Sequence, residues 1–237
     1  TAEDIPKFLE AILIPKKFET TYACDQKHMY HTMFLVEFTT ALRIDELCGI
    51  RETDIDFKNK VLYVRQQVVS PGTNPEFGPA KDRRDKRPDK LPLADTVVKA
   101  LQSEIEYKAK KKAIAEKKGL SWQEYDLVFT NKTGGPIDSK NLNTRILKSI
   151  LKAADLPPMK FHELRHSVLT ILADLNEDPN AICDLARHAD INFLKKTYLH
   201  KNVEAQRSVS KRLEEIATAP TDKQAKKPPR RRNKSQK

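Results

Sequence analysis

The sequence predicts a mainly α-helical protein with one small antiparallel β-sheet, an α+β fold. Apolar residues recur at helical spacing through most of the chain. The stretch from about 55 to 93 is different, because branched and aromatic residues there alternate with turn-forming residues. With 237 residues, the chain is long enough to bury a sizeable core.

In the N-terminal half, we expect helices over residues 4–19 and 25–46, on the basis of their apolar spacing. Residues 55–57 and 61–64 are expected to form a hairpin around Lys58 and Asn59. A loop rich in proline and glycine is expected to follow as far as Pro79. Residues 90–93 resemble a third strand, and Pro92 predicts that this strand lies at a sheet edge.

In the C-terminal half, the pattern is almost entirely helical. Helices are expected over 95–118, 161–175, 179–187, 192–199 and 203–217. A further helix is expected to run to Ala154, capped by Asp138 or Ser139. We therefore predict one domain over 1–217, which includes the helix 203–217, and a disordered basic tail over 218–237.

Charge favours a polyanionic partner. The chain has 44 Lys and Arg against 33 Asp and Glu, a net charge of +11. The stretch 220–237 holds eight of these basic residues and one Asp, so it contributes +7. The charge alone leaves two kinds of polyanion open, nucleic acid and anionic membrane surfaces.

No membrane span or signal peptide is visible in the sequence, and we expect no membrane association. The three cysteines, Cys24, Cys48 and Cys183, are widely spaced and suggest no disulfide framework. This usage fits a reducing compartment, and we expect a cytoplasmic protein.

Residues 161–166, with His188 and Tyr198, gather side chains suited to phosphate-ester chemistry. Arginine and histidine donate hydrogen bonds to phosphate oxygens, and a hydroxyl group can attack phosphorus. His162 and Arg165 are three residues apart, so a helix would present both on one face.

The same stretch allows a second hypothesis, a zinc metalloprotease. His162-Glu163-x-x-His166 matches the zinc-binding pattern, in which the glutamate activates water. No recognisable third ligand follows, and the motif is short. We therefore expect neither a metal nor another cofactor.

Three separated segments together resemble the tyrosine recombinase (phage integrase) family. They are Ala41-Leu42-Arg43-Ile44-Asp45-Glu46-Leu47, Phe161-His162-Glu163-Leu164-Arg165-His166, and Leu185-Ala186-Arg187-His188 followed by Thr197-Tyr198-Leu199-His200. The resemblance covers nearly all of 1–217, in the order found in the family. It implies the catalytic-domain fold of a tyrosine recombinase.

The resemblance also implies roles for individual residues. Arg43 and Arg165 would clamp the scissile phosphate, His162 and His188 would donate further hydrogen bonds, and Tyr198 would be the nucleophile. A lysine on a hairpin loop would be the general acid. Lys81 is our choice because Gly78-Pro79-Ala80 precedes it. Lys86 and Lys90 remain alternatives.

The chain departs from the family pattern at two glycine positions, where Ala41 and Arg187 stand instead. We expect Arg187 to point to solvent. The interval from His188 to Tyr198 is also one residue longer than is common in the family. None of these departures removes a catalytic group.

The implied function is a site-specific recombinase or integrase that cleaves and rejoins DNA through a 3′-phosphotyrosine. It would integrate or excise a mobile element in a bacterial host, at the nucleoid. The implied partners are double-stranded DNA and further copies of this chain, as a dimer to tetramer joined through helix 203–217. The family's N-terminal core-binding domain is expected to be absent. A type IB topoisomerase and a catalytically silent DNA-binding regulator remain alternatives.

Overall fold

The computed structural model describes residues 1–13, 26–80, 89–187, 210–212 and 214. The chain divides into two compact units, Thr1–Tyr198 and Leu199–Lys237. In the second unit, residues 210–212 and 214 are helical, within the helix predicted over 203–217. The predicted helix 192–199 and the predicted disordered tail lie outside the described residues.

The first unit begins with two helices that pack through aromatic side chains. Helix α1 spans Asp4–Leu13 and α2 spans Lys27–Thr40. Phe8 of α1 meets Phe34 of α2 edge to face, with their ring centroids 4.9 Å apart. Both rings are buried, because the apolar stripe of each helix faces the other.

The prediction of one continuous helix over 25–46 is wrong at its C-terminal end. Ala41 adopts a left-handed conformation, with φ +46°, and its N–H donates to the carbonyl oxygen of Glu37. The chain then turns into a short helix, α3, over Ile44–Cys48. Leu42 in this turn and Leu47 in α3 are both buried. The break in the helix therefore allows both side chains to enter the core, which the spacing of apolar residues in the sequence did not indicate.

The predicted hairpin and edge strand are present in a three-stranded antiparallel sheet. Its strands are β1 (Ile55–Asp56), β2 (Val61–Val64) and β5 (Asp89–Pro92), in the order β1-β2-β5. Leu62 lies opposite Ile55 on one side and Leu91 on the other. Strand β5 is at the edge, as Pro92 predicted.

A second, two-stranded sheet occupies part of the predicted loop. Strand β3 (Gln66–Ser70) pairs antiparallel with β4 (Glu76–Pro79). The loop prediction is wrong here. Gly78 and Pro79 suggested an interruption of regular secondary structure, yet both lie in β4. Proline is tolerated at this position because a strand in a two-stranded sheet has an outer edge that needs no N–H donor.

The remaining described helices confirm the predictions over 95–118, 161–175 and 179–187, and the prediction of a helix that ends near Ala154. Asp138 caps a helical stretch whose parts are α5 (Ser139–Asn141), a π-helical turn (Leu142–Ile146) and α6 (Leu147–Ala153). The other helices are α4 (Asp95–Lys117), α7 (Phe161–Asp174) and α8 (Pro179–Ala186).

One hydrophobic core joins these elements and fixes the position of α7. Phe161 and Leu164 of α7 belong to the same buried cluster as Phe34 of α2. The rings of Phe34 and Phe161 have centroids 6.0 Å apart. This packing places the first turns of α7 beside the C-terminal end of α2, where the chain turns toward Arg43.

Candidate active site

Arg165 lies in the interior, at the meeting point of three chain segments. It projects from α7 and is only 2% exposed. Its Nη1 donates to the carbonyl oxygen of Ala41, and its Nη2 donates to that of Ala186. Burial, and then the nearby Arg187, lower the pKa of Arg165 to about 10, so the guanidinium remains protonated at neutral pH.

Arg43 lies at the N-terminal end of α3, close to Arg165. Arg165 donates to the carbonyl oxygen of Ala41, two residues before Arg43, and the charge of Arg43 is among the causes that lower the pKa of Arg165. Glu46 holds Arg43 in place, because its carboxylate accepts the Arg43 backbone N–H at 3.1 Å and Nη1 at 3.5 Å. The side chain of Arg43 is 22% exposed, so this guanidinium is the more accessible of the two.

Arg187 is buried, and the expectation that it points to solvent is wrong. It is 6% exposed, and its Nη2 donates to the carboxylate of Glu46, which is itself fully buried. Arg187 ends α8 in a left-handed conformation, with φ +50°. The side chain turns inward because a buried carboxylate needs a cationic partner.

Glu37 is a further buried carboxyl group that the sequence interpretation did not identify. It lies on α2 and has zero exposure, and among the described residues no side chain donates a hydrogen bond to either of its carboxylate oxygens. Burial raises the pKa of Glu37 to about 8, against the opposing charges of Arg165 and Arg187. The signal in the sequence was its position four residues after the apolar Met33, on the helix face that is buried.

His162 and His166 pair on the outer face of α7. Their Nε2 atoms are 2.7 Å apart, and the rings meet edge to face. One Nε2 must therefore carry a proton that the other accepts. Burial, together with the neighbouring His162, lowers the pKa of His166, which favours a neutral imidazole at that position.

Glu163 does not act with these histidines as the zinc hypothesis requires. Its carboxylate accepts the backbone N–H of Lys160 at 2.6 Å, which caps the start of α7. Over the described ranges, no group of three or more His, Cys, Asp or Glu side chains is arranged to hold a metal ion. Glu163 therefore has a capping role at the start of α7.

Three of the six predicted site residues, Lys81, His188 and Tyr198, lie outside the described residues, as does the alternative Lys86. The other alternative, Lys90, is exposed on β5, with its ammonium 5.7 Å from the ring centroid of Tyr63. The structure thus brings together Arg43 and Arg165, and it places His162 one turn before Arg165 on the same helix.

None of the described helices combines the length and apolar character needed to cross a membrane.

Curated proteins of one family are similar to this chain in sequence. A relative described as a XerC-like tyrosine recombinase, from Caldanaerobacter subterraneus subsp. tengcongensis, is 29% identical over 180 residues, covering 73% of this chain and 46% of the relative. An integrase of a Staphylococcus phage is 26% identical over 185 residues, covering 76% of this chain and 50% of the relative. The chain thus spans about half the length of the curated relatives it matches.

A solved structure shares the fold at low sequence identity. The Tn1549 transposon integrase, in complex with transposon right-end DNA, superposes with a TM-score of 0.68 at 21% identity, covering 88% of this chain and 63% of that one. Residues 2–205 of this chain match the sequence pattern of the phage integrase family. The chain therefore belongs to the phage integrase family, the tyrosine recombinases.

Proposed function

We propose that this chain is the catalytic part of a site-specific DNA recombinase that cleaves and rejoins strands through a 3′-phosphotyrosine. The observation that carries this proposal is the convergence of Arg43 and Arg165. Arg165 Nη1 donates to the carbonyl oxygen of Ala41, two residues before Arg43, so the two arginines lie close together although 122 positions separate them in the sequence. Two arginines at one point suit the charge of a phosphodiester and of its transition state.

In the proposed reaction, the phenolic oxygen of Tyr198 attacks the scissile phosphorus in line with the 5′-oxygen. The phenol gives its proton to a neighbouring histidine, His162 or His188, as a bond forms between phosphorus and the tyrosine oxygen. The bond to the 5′-oxygen breaks, and Lys81 donates a proton to the departing oxygen. A phenol, with a reference pKa near 10, ionises more readily than an alkyl alcohol. Attack by a different 5′-hydroxyl reverses these steps and joins the strand to a new partner.

The remaining groups would support the charge that builds on the phosphate. Arg43, the more exposed guanidinium, would contact a non-bridging oxygen directly. Arg165 would hold the neighbouring segments in place, because two of its nitrogen donors are already bound to backbone carbonyls. Its buried positive charge would add to that of Arg43. His162 and His188 would donate further hydrogen bonds to the phosphate.

Duplex DNA is the proposed substrate. The chain carries a net charge of +11, and its similarity to a transposon integrase solved with DNA supports the same class of partner. Similarity to a phage integrase and a transposon integrase also favours a role in moving a mobile element.

We further propose a division of labour within the chain. Residues 1–217 would form the catalytic domain, helix 203–217 would join neighbouring copies into a dimer to tetramer on DNA, and 218–237 would contact the DNA backbone. The positive charge of 220–237 supports the last of these roles.

Covalent trapping tests the proposed chemistry and identifies the target site in the same experiment. The protein is incubated with nicked genomic DNA of its host, and adducts are recovered under denaturing conditions and sequenced. We expect an adduct at defined sites where a nick lies close to the cleaved bond. There the short fragment that carries the new 5′-hydroxyl dissociates, so the reverse reaction loses its nucleophile. Tyr198→Phe should bind the same DNA without forming an adduct.

An adduct that survives Tyr198→Phe would overturn the nucleophile assignment, and no adduct from the unmodified chain would overturn the proposed function. A duplex carrying the recovered site then separates recombination from topoisomerase activity. Joining of the cleaved strand to a second duplex is expected of a recombinase, whereas relaxation of supercoils without such joining would indicate a topoisomerase.

A further inference from the structure

Arg187 occupies a backbone position that disfavours any large side chain. It follows the last residue of α8 with φ +50°, and its N–H donates to the carbonyl oxygen of Asp184 at 3.0 Å. In this left-handed region glycine avoids the steric cost that a side chain carries. The chain nevertheless has an arginine here and buries it. A compensating interaction must therefore favour it.

The compensating interaction is the ion pair with Glu46. Arg187 Nη2 donates to Oε2 of Glu46, and both groups are buried. The same Oε2 accepts the backbone N–H of Arg43, while Oε1 accepts Arg43 Nη1. Arg187 therefore acts on Arg43 through a carboxylate that the two arginines share.

Arg165 closes these contacts into a ring. It donates to the carbonyl oxygen of Ala41, two positions before Arg43, and to that of Ala186, directly before Arg187. The ring thus ties together the start of α3, the first turns of α7 and the end of α8. A change at Arg187 is therefore expected to reach Arg43 through Glu46.

Without Arg187, the buried carboxylate of Glu46 would lose one of its two cationic side-chain donors and keep the Arg43 contacts, of which the Nη1 contact is 3.5 Å long. The loss of a cationic partner at a buried carboxylate is costly, and the carboxylate would move toward other donors. Such a movement would loosen Arg43, because Arg43 is held by the same carboxylate. Direct contact of Arg187 with DNA is less consistent with the structure, because its remaining donors, Nε and Nη1, are buried as well.

We propose that Arg187 is a positioning residue for strand cleavage, and that it fixes the guanidinium of Arg43 through Glu46. This inference rests on the proposed function. Such a residue should change the rate of the chemical step far more than the affinity for DNA, since Arg43 would still be present but misplaced.

The test uses the full chain and a nicked duplex that carries the site recovered by covalent trapping. Cleavage is followed at saturating DNA, and affinity is measured separately, for Arg187→Gly, Arg187→Lys, Glu46→Gln and the Arg187→Gly/Glu46→Gln double variant. Glycine suits the left-handed position and lacks the ion pair, whereas lysine keeps a cation near Glu46. Unfolding curves set a temperature at which every variant is folded.

We expect Arg187→Gly to cleave about tenfold to about a hundredfold more slowly, with affinity changed less than about threefold. Arg187→Lys should recover part of the rate. In the Glu46→Gln background, Arg187→Gly should have no further effect. A normal rate in Arg187→Gly, multiplied effects in the double variant, or no benefit from lysine would each overturn the inference.

Amide hydrogen exchange separates failure of this inference from failure of the proposed function. Exchange over 43–48 should accelerate in Arg187→Gly, whereas exchange in α1 should not change. Unchanged exchange over 43–48 would overturn the ring of contacts, whatever the DNA assay shows. Accelerated exchange in a protein that forms no Tyr198-dependent adduct would instead overturn the proposed function alone.

Discussion

Arg43, Arg165 and Arg187 crowd together although their charges repel, and two buried carboxyl groups decide how that charge is balanced. The positive charges of Arg187 and Arg43 both lower the pKa of Arg165. Glu46 offsets part of this repulsion through contacts with two of the arginines. Glu37 has a raised pKa and offsets less at neutral pH, because its protonated form is favoured. The cluster therefore keeps an excess of positive charge, which suits a phosphodiester.

The protonation of Glu37 predicts how stability depends on pH. Its pKa rises from 4.5 in the unfolded chain to about 8 in the folded one. Its favourable contribution to the free energy of unfolding is therefore complete below about pH 4.5 and is lost as pH rises through about 8. Glu37→Gln cannot ionise, so we expect it to gain at least about 1 kcal/mol relative to the unmodified chain between pH 5 and pH 8.

Urea unfolding at several pH values measures this gain. Glu10→Gln, at an exposed position on α1, is the matched control and should follow the unmodified chain. Parallel stability profiles for Glu37→Gln and the unmodified chain would contradict the buried, protonated state of Glu37.

Lys81 is predicted to be the general acid. Lys81→Ala should slow cleavage of an ordinary duplex, and a sulfur atom in place of the 5′-bridging oxygen should restore the rate, since a thiolate needs no proton to depart. Lys86→Ala and Lys90→Ala are the controls and should gain no comparable benefit. Rescue confined to one of those two variants would assign the role to that lysine.

The sequence predicted the site residues that lie in recognisable family motifs. It did not predict the residues whose role depends on how the chain packs. Arg43 and Arg165 were predicted to meet, and they lie within electrostatic range of each other. Arg187 was expected to point to solvent, whereas it is buried and donates to Glu46. Glu37 carries no motif, and only its place on the buried face of α2 distinguishes it.

At the scale of elements, two of the clustered arginines, Arg43 and Arg187, lie at the ends of helices. The break at Ala41 directs Arg43 into the N-terminal end of α3, and the end of α8 directs Arg187 toward the same carboxylate. Local dihedral angles determine these ends. Periodicity predicted where most helices lie, but it extended α2 through the break and treated strands β3 and β4 as a loop.

The start of α7 provides a test of what Glu163 does. Glu163→Ala should lower the free energy of unfolding by about 0.5 to 1 kcal/mol, because the N–H of Lys160 loses its acceptor. Glu163→Gln keeps an acceptor and should be close to the unmodified protein. Cleavage of DNA should stay within about twofold in both variants, since this side chain caps a helix. Abolished cleavage in a folded Glu163→Gln variant would instead contradict a purely structural role for this side chain.

At the scale of the whole molecule, positive charge is concentrated at one end of the sequence. The stretch 220–237 contributes +7 of the net +11. Each basic residue that neutralises a phosphate releases counterions, so binding through this stretch must depend on salt.

Removal of 220–237 should therefore weaken DNA binding most at low salt. We expect the slope of log affinity against log salt to become shallower by about 0.9 for each phosphate that the truncated chain no longer neutralises. Replacement of Arg230, Arg231 and Arg232 by glutamine, at full chain length, separates charge from length. An unchanged slope in the truncated chain would mean that the tail does not bind DNA.

Identification of the amino acid that carries the DNA tests the central claim most directly. The trapped adduct is digested with nuclease and trypsin, and the peptide that retains a nucleotide is sequenced by mass spectrometry. We expect residues 197–201 to retain it, with the phosphate on the oxygen of Tyr198 and a free 5′-hydroxyl on the released strand. A nucleotide on any other residue, or cleavage that leaves no covalent link to protein, would contradict the proposed mechanism.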